Sequence, residues 1–201
     1  CISVASGANM KLDKSDINDA TVELDNADVV LMQLETPIET IEYIIKLLKN
    51  KQVKTILNPA PALKISDDLL AHLTIITPNE TEVELLTGVI IKDEKDALKA
   101  SKILLDKGVK NVIITMGKKG AFLHSELGSI LIPAFEVNAI DTTAAGDTFN
   151  GAFAVAVAEG KTLEDAVEYA NAAAAISVTK MGAQPSIPLK KEIEDFLSHI
   201  D

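Results

Sequence analysis

The chain has 201 residues, 47% hydrophobic and 24% charged, a composition that excludes intrinsic disorder. A chain of this size buries roughly 70% of its unfolded surface without disulfide or metal staples. With 19 basic against 30 acidic side chains the formal charge is −11, which sets the surface against nucleic-acid backbones and anionic membranes, and no apolar run reaches the roughly 20 residues of a membrane span. Cys1 is the only cysteine, so no internal disulfide forms and a reducing, cytoplasmic setting is expected. Cys1 has no local support as a nucleophile.

Ile2-Ser3-Val4 is β-like, and the turn-like Ser6-Gly7-Ala8-Asn9 follows it. From residue 27 onward strands and helices alternate. Residues 27–32 form a short apolar run, as in a strand buried on both faces. Thr36-Pro37-Ile38-Glu39 has the form of a capping box with Pro at the first helical position. Ile38, Ile41, Ile45 and Leu48 then follow at helical spacing. Residues 53–57 read as a strand running into Asn58-Pro59-Ala60-Pro61-Ala62, where the prolines remove backbone donors. Residues 73–77 read as a third strand. Asn79 opens a helix stopped by Gly88, and Asp93 opens another with Ala97, Ala100, Ile103 and Leu104 inward and Gly108 as its stop. Residues 112–116 form a strand, and 121–124 with 130–132 a hairpin. Two alanine-rich helices (147–159 and 162–179) and an amphipathic helix (189–200) complete the chain. Strands separated by helices predict an α/β fold, a mostly parallel β-sheet with helices on both faces.

Ligands of such sheets collect where strands end and helices begin. At Asp141-Thr142-Thr143-Ala144-Ala145-Gly146-Asp147, small residues let the backbone turn tightly, so the N–H groups from Ala144 to Asp147 can converge on an anion at a helix N-terminus. Asp147 is placed to accept a proton from an incoming hydroxyl, or simply to cap the helix. Thr77-Pro78-Asn79-Glu80-Thr81-Glu82 reads as a capping box between Asn79 and Glu82. Thr115-Met116-Gly117-Lys118-Lys119-Gly120 is a strand ending in a Gly-x-x-Gly turn, and Met181-Gly182-Ala183-Gln184-Pro185-Ser186 is an irregular loop.

Taken in this order, these segments resemble the ribokinase family of sugar kinases, which also holds the phosphofructokinase-B-type enzymes. Residues 141–147 match its C-terminal signature, with Ala144 where Gly is usual; alanine still offers its N–H. The resemblance implies that Asp147 is the base activating the substrate hydroxyl. The amides of Ala144, Ala145, Gly146 and Asp147 would stabilise the transferring phosphoryl group. Asn79 and Glu82 match the Asn-x-x-Glu motif that positions Mg²⁺ and the phosphates, Glu82 acting through water, in keeping with magnesium's retained hydration. Thr115, Met116, Gly117, Lys118, Lys119 and Gly120 would run along ATP, and Asn171 would line the adenine pocket. Asp141, Thr143, Ser177, Lys180, Gly182 and Ser186 would form a monovalent-cation (K⁺) site, mainly through carbonyl oxygens, with the Lys180 ammonium turned to solvent. Met32-Gln33-Leu34-Glu35 would bring Glu35 near the sugar, and residues 58–62 would be a rigid loop.

Gly182-Ala183-Gln184-Pro185-Ser186 and the run 171–179 resemble the ribose-phosphorylating branch. The implied reaction transfers the ATP γ-phosphoryl group to the primary hydroxyl of D-ribose. The alternatives are a related fructose or nucleoside kinase, or a nucleotide-binding fragment without turnover. The family's lid and most of its sugar-gripping residues come from an N-terminal part with no match here. The chain is therefore expected to be one α/β nucleotide- and phosphoryl-transfer domain over 1–201, cut from a longer homodimeric enzyme and poorly active alone. His72, His124 and His199 show no metal-ligand spacing, and neither a Gly-x-Ser-x-Gly elbow nor a Walker loop occurs.

Overall fold

The computed structural model describes residues 6–199; Cys1 and the β-like run Ile2-Ser3-Val4 lie outside them. The chain divides into two compact units, Cys1–Ile113 and Ile114–Asp201.

In the first unit, the turn-like start is a 3₁₀ helix, Gly7–Lys11, followed by α1 (Lys14–Asp19) and α2 (Thr21–Asp25). The Asp13 carboxylate caps α1 by accepting from the Ser15 amide at 2.7 Å and the Asp16 amide at 3.3 Å. Neither helix has an apolar stripe, since Ile17 is their only buried residue, so periodicity could not announce them. β1 (Val29–Gln33) leads to α3 (Ile38–Leu48), which buries Thr40, Ile41, Ile44, Ile45 and Leu48. The expected capping box at Thr36 does not form. Pro37 is itself the N-cap, and its carbonyl accepts from the amides of Thr40 and Ile41 at 3.0 and 3.3 Å. With ψ at 130° Pro37 is extended, so the helix begins one residue later than Pro at the first helical position would require.

β2 (Lys54–Asn58), α4 (Asp67–Leu70), β3 (Ile75–Ile76), α5 (Glu80–Thr87), α6 (Glu94–Asp106) and β4 (Asn111–Thr115) follow. β1 to β4 are parallel, with Leu31 opposite Ile56, Ile56 opposite Ile75 and Ile76 opposite Val112. Ile56, Leu57, Ile75, Ile76, Val112, Ile113 and Ile114 are at most 1% exposed. Successive strand residues point to opposite faces, so both faces of β2, β3 and β4 are covered; β1 differs from the expected strand buried on both faces, since only Met32 of it is buried and Leu31 is 38% exposed.

The second unit holds the hairpin β5 (Ala121–Ser125) and β6 (Gly128–Ile132), antiparallel with Ala121 opposite Ile132. α7 (Ala145–Ala158) packs along α8 (Leu163–Val178), which also meets β5, β6 and α9 (Lys190–Ser198). Ala166, Ala170, Ala172 and Ala173 on α8 are fully buried, and such small side chains permit close helix packing. α9 is seated by Ile193, 4% exposed, and by Phe196 edge-on to Phe135 at 5.3 Å between centroids. The parallel strands of the first unit, joined through helices, give the α/β fold predicted. Among the described residues no helix is long and apolar enough to cross a membrane.

Candidate active site

The turn before α7 is built on one strained residue. Ala144 has φ 61° and ψ 14°, the only positive φ outside glycine among the described residues. A methyl-bearing residue in this left-handed region costs about 1–2 kcal/mol, and such strain is held where the surroundings over-determine the backbone. The turn places Asp147 in the first turn of α7, where it is exposed. Ala145 donates its amide to the Thr142 carbonyl at 3.2 Å. Of the four successive amides expected to converge on an anion, that of Ala145 already serves the turn. Behind them Asn150 donates from Nδ2 to the Gly146 carbonyl at 2.9 Å. Thr148 is 4% exposed, and its hydroxyl has no hydrogen-bond partner.

Asp141 fastens this turn to a second loop. Its Oδ1 accepts from the Thr143 amide at 2.9 Å and the Thr143 hydroxyl at 2.7 Å, and its Oδ2 accepts from the Gly182 amide at 2.9 Å. These donors hold the carboxyl below its ordinary range, the Thr143 hydroxyl first, then the amides of Thr143 and Gly182. Three residues expected at the cation site thus come together through 41 residues of chain separation. Ser177 and Ser186, both fully buried, turn their hydroxyls back to the carbonyls of Ala174 and Ala183 at 2.8 and 2.6 Å. That leaves carbonyl oxygens as their natural contribution to a cation, and an all-oxygen set of carbonyls and one carboxylate suits a hard ion. The Lys180 ammonium lies at the surface, in an exposed ion pair with Glu192 Oε1 at 2.9 Å.

The strand-ending turn at 117–120 is a 3₁₀ turn closed by Met116, whose amide donates to the Gly120 carbonyl at 2.8 Å. Gly117, Lys118 and Lys119 are exposed, Met116 and Gly120 are buried, and Thr115 is half-buried. Gly120 has φ 105°, and a Cβ there would lie 2.1 Å from the Ile132 carbonyl oxygen. Asn171 donates from Nδ2 to the carbonyls of Ile132 and Pro133 at 3.2 and 3.1 Å. Its amide is therefore used to bind α8 to the end of β6, which sequence reading did not foresee.

In the first unit, Asn79 and Glu82 form the expected capping box. Asn79 Oδ1 accepts from the Glu82 amide at 2.9 Å, and the Glu82 carboxylate accepts from the Asn79 amide at 2.8 Å and from Asn79 Nδ2 at 2.9 Å. Burial pushes the Glu82 carboxyl up, opposed by the Asn79 N–H. An Asn and a Glu oxygen held together in this way fit a magnesium ion that keeps most of its waters. Asn58, at the end of β2, donates to the Thr77 carbonyl at 3.0 Å and accepts from Gln33 Nε2 at 3.4 Å, so it ties three strand ends together. Glu35 is exposed in the turn after β1. Among the described residues no three or more His, Cys, Asp or Glu side chains gather to hold a metal.

The small-residue turn thus opens α7 with the Asp147 carboxylate in its first turn. The model of the pfkB family carbohydrate kinases matches residues 2–190, and the chain belongs to that family. It is 50% identical over 198 residues to ribokinase of Haemophilus influenzae, covering 98% of this chain and 65% of that protein. The crystal structure of ribokinase from Thermotoga maritima superposes with a TM-score of 0.89 at 44% identity, over 98% of this chain and 65% of that one. The structure of Arabidopsis thaliana ribokinase complexed with ribose and ATP superposes with a TM-score of 0.90 at 34% identity, over 98% of this chain and 64% of that one. The chain thus spans just under two-thirds, 65%, of the H. influenzae relative's length.

Proposed function

We propose that this chain carries the nucleotide site and catalytic base of a kinase that phosphorylates D-ribose at its primary hydroxyl, giving ribose 5-phosphate. The observation that carries the reading is the Ala144 turn, which delivers an exposed Asp147 and open amides to one helix N-terminus. Asp147 takes the proton of the attacking hydroxyl, and the amides of Ala144 and Gly146, with the α7 dipole, stabilise the charge that grows on the transferring phosphoryl oxygens. Similarity to a ribokinase solved with ribose and ATP supports this choice of substrates. Thr115 to Gly120 and Asn171 border the nucleotide in this reading, and Glu35 approaches the sugar.

Mg²⁺ would be held near Asn79 and, through water, Glu82, where it neutralises phosphate charge. K⁺ would be held by Asp141 and the carbonyls of Thr143, Ser177, Lys180, Gly182 and Ser186, supplying positive charge beside the turn. The protein acts in the cytoplasm, as a homodimer, with no nucleic-acid or membrane partner. Residues 1–201 serve as one α/β nucleotide- and phosphoryl-transfer domain.

The test is Asp147→Asn in the full-length protein. Turnover on ribose falls by about 10²–10⁴-fold, the usual contribution of a general base, while ATP affinity by calorimetry stays within a few-fold. Near-wild-type turnover would sink the assignment of the base. Ribose, 2-deoxyribose, fructose and nucleosides assayed side by side decide the acceptor, with a preference for any but ribose overturning the substrate.

A further inference from the structure

The loop that follows α8 is poorly secured by packing. Met181 is 69% exposed, residues 183–185 are exposed, and the buried anchor comes only at Ser186. With so little apolar contact, its conformation is set by polar contacts at its two sides. On one side Gly182 donates to Asp141, which in turn holds Thr143, the residue before Ala144. On the other, Lys180 reaches Glu192 Oε1 at 2.9 Å, while Glu192 Oε2 accepts from the Leu189 amide at 2.7 Å at the start of α9. Glu192 is therefore fixed to a helix that is itself seated by Ile193 and by the Phe135–Phe196 contact. A continuous polar path runs from α9 through Glu192, Lys180, the loop and Asp141 to the anion-binding turn.

We propose that Glu192 is a positioning residue for that turn, acting through Lys180 and Asp141; the inference rests on reading residues 144–147 as the anion site and base. Glu192 does not touch the reacting groups. It fixes where the 180–182 backbone stands, and so how Asp141 is shared between Gly182 and Thr143. The Lys180 and Glu192 side chains are 37% and 45% exposed, and an exposed pair of this kind contributes little to global stability. Its effect is local: backbone bonds hold the two ends of the loop, Lys180 to Ser177 and Ser186 to Ala183, each at 3.1 Å, and the Lys180–Glu192 pair adds a side-chain restraint between them.

The experiment is amide hydrogen exchange by mass spectrometry on the full-length protein carrying Lys180→Met, Glu192→Gln or both. Lys180→Met leaves the Glu192–Leu189 cap intact, so it reports on the path even if Glu192→Gln loosens α9. In each single variant, peptides covering residues 140–147 and 179–186 exchange about two- to fivefold faster, the range an exposed ion pair supports, with the melting temperature nearly unmoved. The double variant exchanges no faster than either single variant, because both cut the same path. Ribose turnover falls by a similar factor while the KM for ATP holds, a split that a general loss of structure does not produce. Wild-type exchange in both peptides of Lys180→Met, or additive effects in the double variant, overturns the proposal. Failure of the base reading would appear instead as retained turnover in Asp147→Asn, with the exchange result unaffected.

Discussion

Gly120→Ala is predicted to be among the most damaging single-methyl additions to this chain. Gly120 sits at φ 105° and ψ −142°, a region essentially reserved for glycine, where a side chain costs about 1–3 kcal/mol. The added Cβ would lie 2.1 Å from the Ile132 carbonyl oxygen, 2.6 Å from the Ala134 nitrogen and 2.7 Å from the Pro133 carbonyl carbon. All three are backbone atoms, so no side chain can swing aside, and forced overpacking adds about 1–3 kcal/mol. The same Ile132 and Pro133 carbonyls accept the Asn171 amide, so moving them weakens those bonds at about 1 kcal/mol each. Gly117→Ala is the control. Its φ is also positive, at 53°, but a methyl group there would have no neighbour within 4 Å, so it bears only the left-handed cost of about 1–2 kcal/mol. Thermal melts followed by circular dichroism should place Gly120→Ala lower than Gly117→Ala by roughly 4–12 °C, at about 2–4 °C per kcal/mol for a chain of this size. The Gly120→Ala and Asn171→Ala effects should also be less than additive, since both act on the same carbonyls. Equal melting temperatures for the two glycine variants, or strict additivity with Asn171→Ala, would refute the reasoning.

Glu82 should make stability depend on pH with a definite sign. Its folded carboxyl is raised by burial, so its contribution is fully present below the ordinary carboxylate value of about 4.3 and is lost as pH rises through the folded value. Urea midpoints from acid to neutral pH should show Glu82→Gln gaining on wild type as pH rises; a gap that shrinks contradicts the burial argument. Asp141 works the other way: lowered by Thr143 and Gly182, it stabilises above the unfolded carboxylate value and loses that effect as pH falls through the folded one. The advantage of wild type over Asp141→Asn should therefore narrow in acid, and a constant advantage would show that the three donors do not favour the ionised form. Thr148→Val removes a buried hydroxyl that has no partner and should raise the urea-derived stability by about 1–2 kcal/mol. Destabilisation by that variant would show that the hydroxyl holds an ordered water.

What the sequence determined by itself is what lies within a few residues along the chain. The Asn79–Glu82 box, the Asp93 cap and the Gly88 stop are all decided by contacts between near neighbours. So is the small-residue turn at 141–147, whose wording alone pointed to an anion site. Tertiary structure decided everything that joins distant segments. Gly182 reaches Asp141 across 41 positions, Asn171 reaches Ile132 across 39, and Lys180 meets Glu192 across 12. No periodicity encodes such pairs, because each depends on how α8 lies against β6 and α9 in the second unit. The start of α3 shows the same division at close range. Thr36 has the right chemistry for a cap, yet Pro37 holds that position, because backbone geometry rather than residue type selects which neighbour faces the open amides. The sequence therefore singled out Asp147 and its turn, and the fold decided what holds that turn in place.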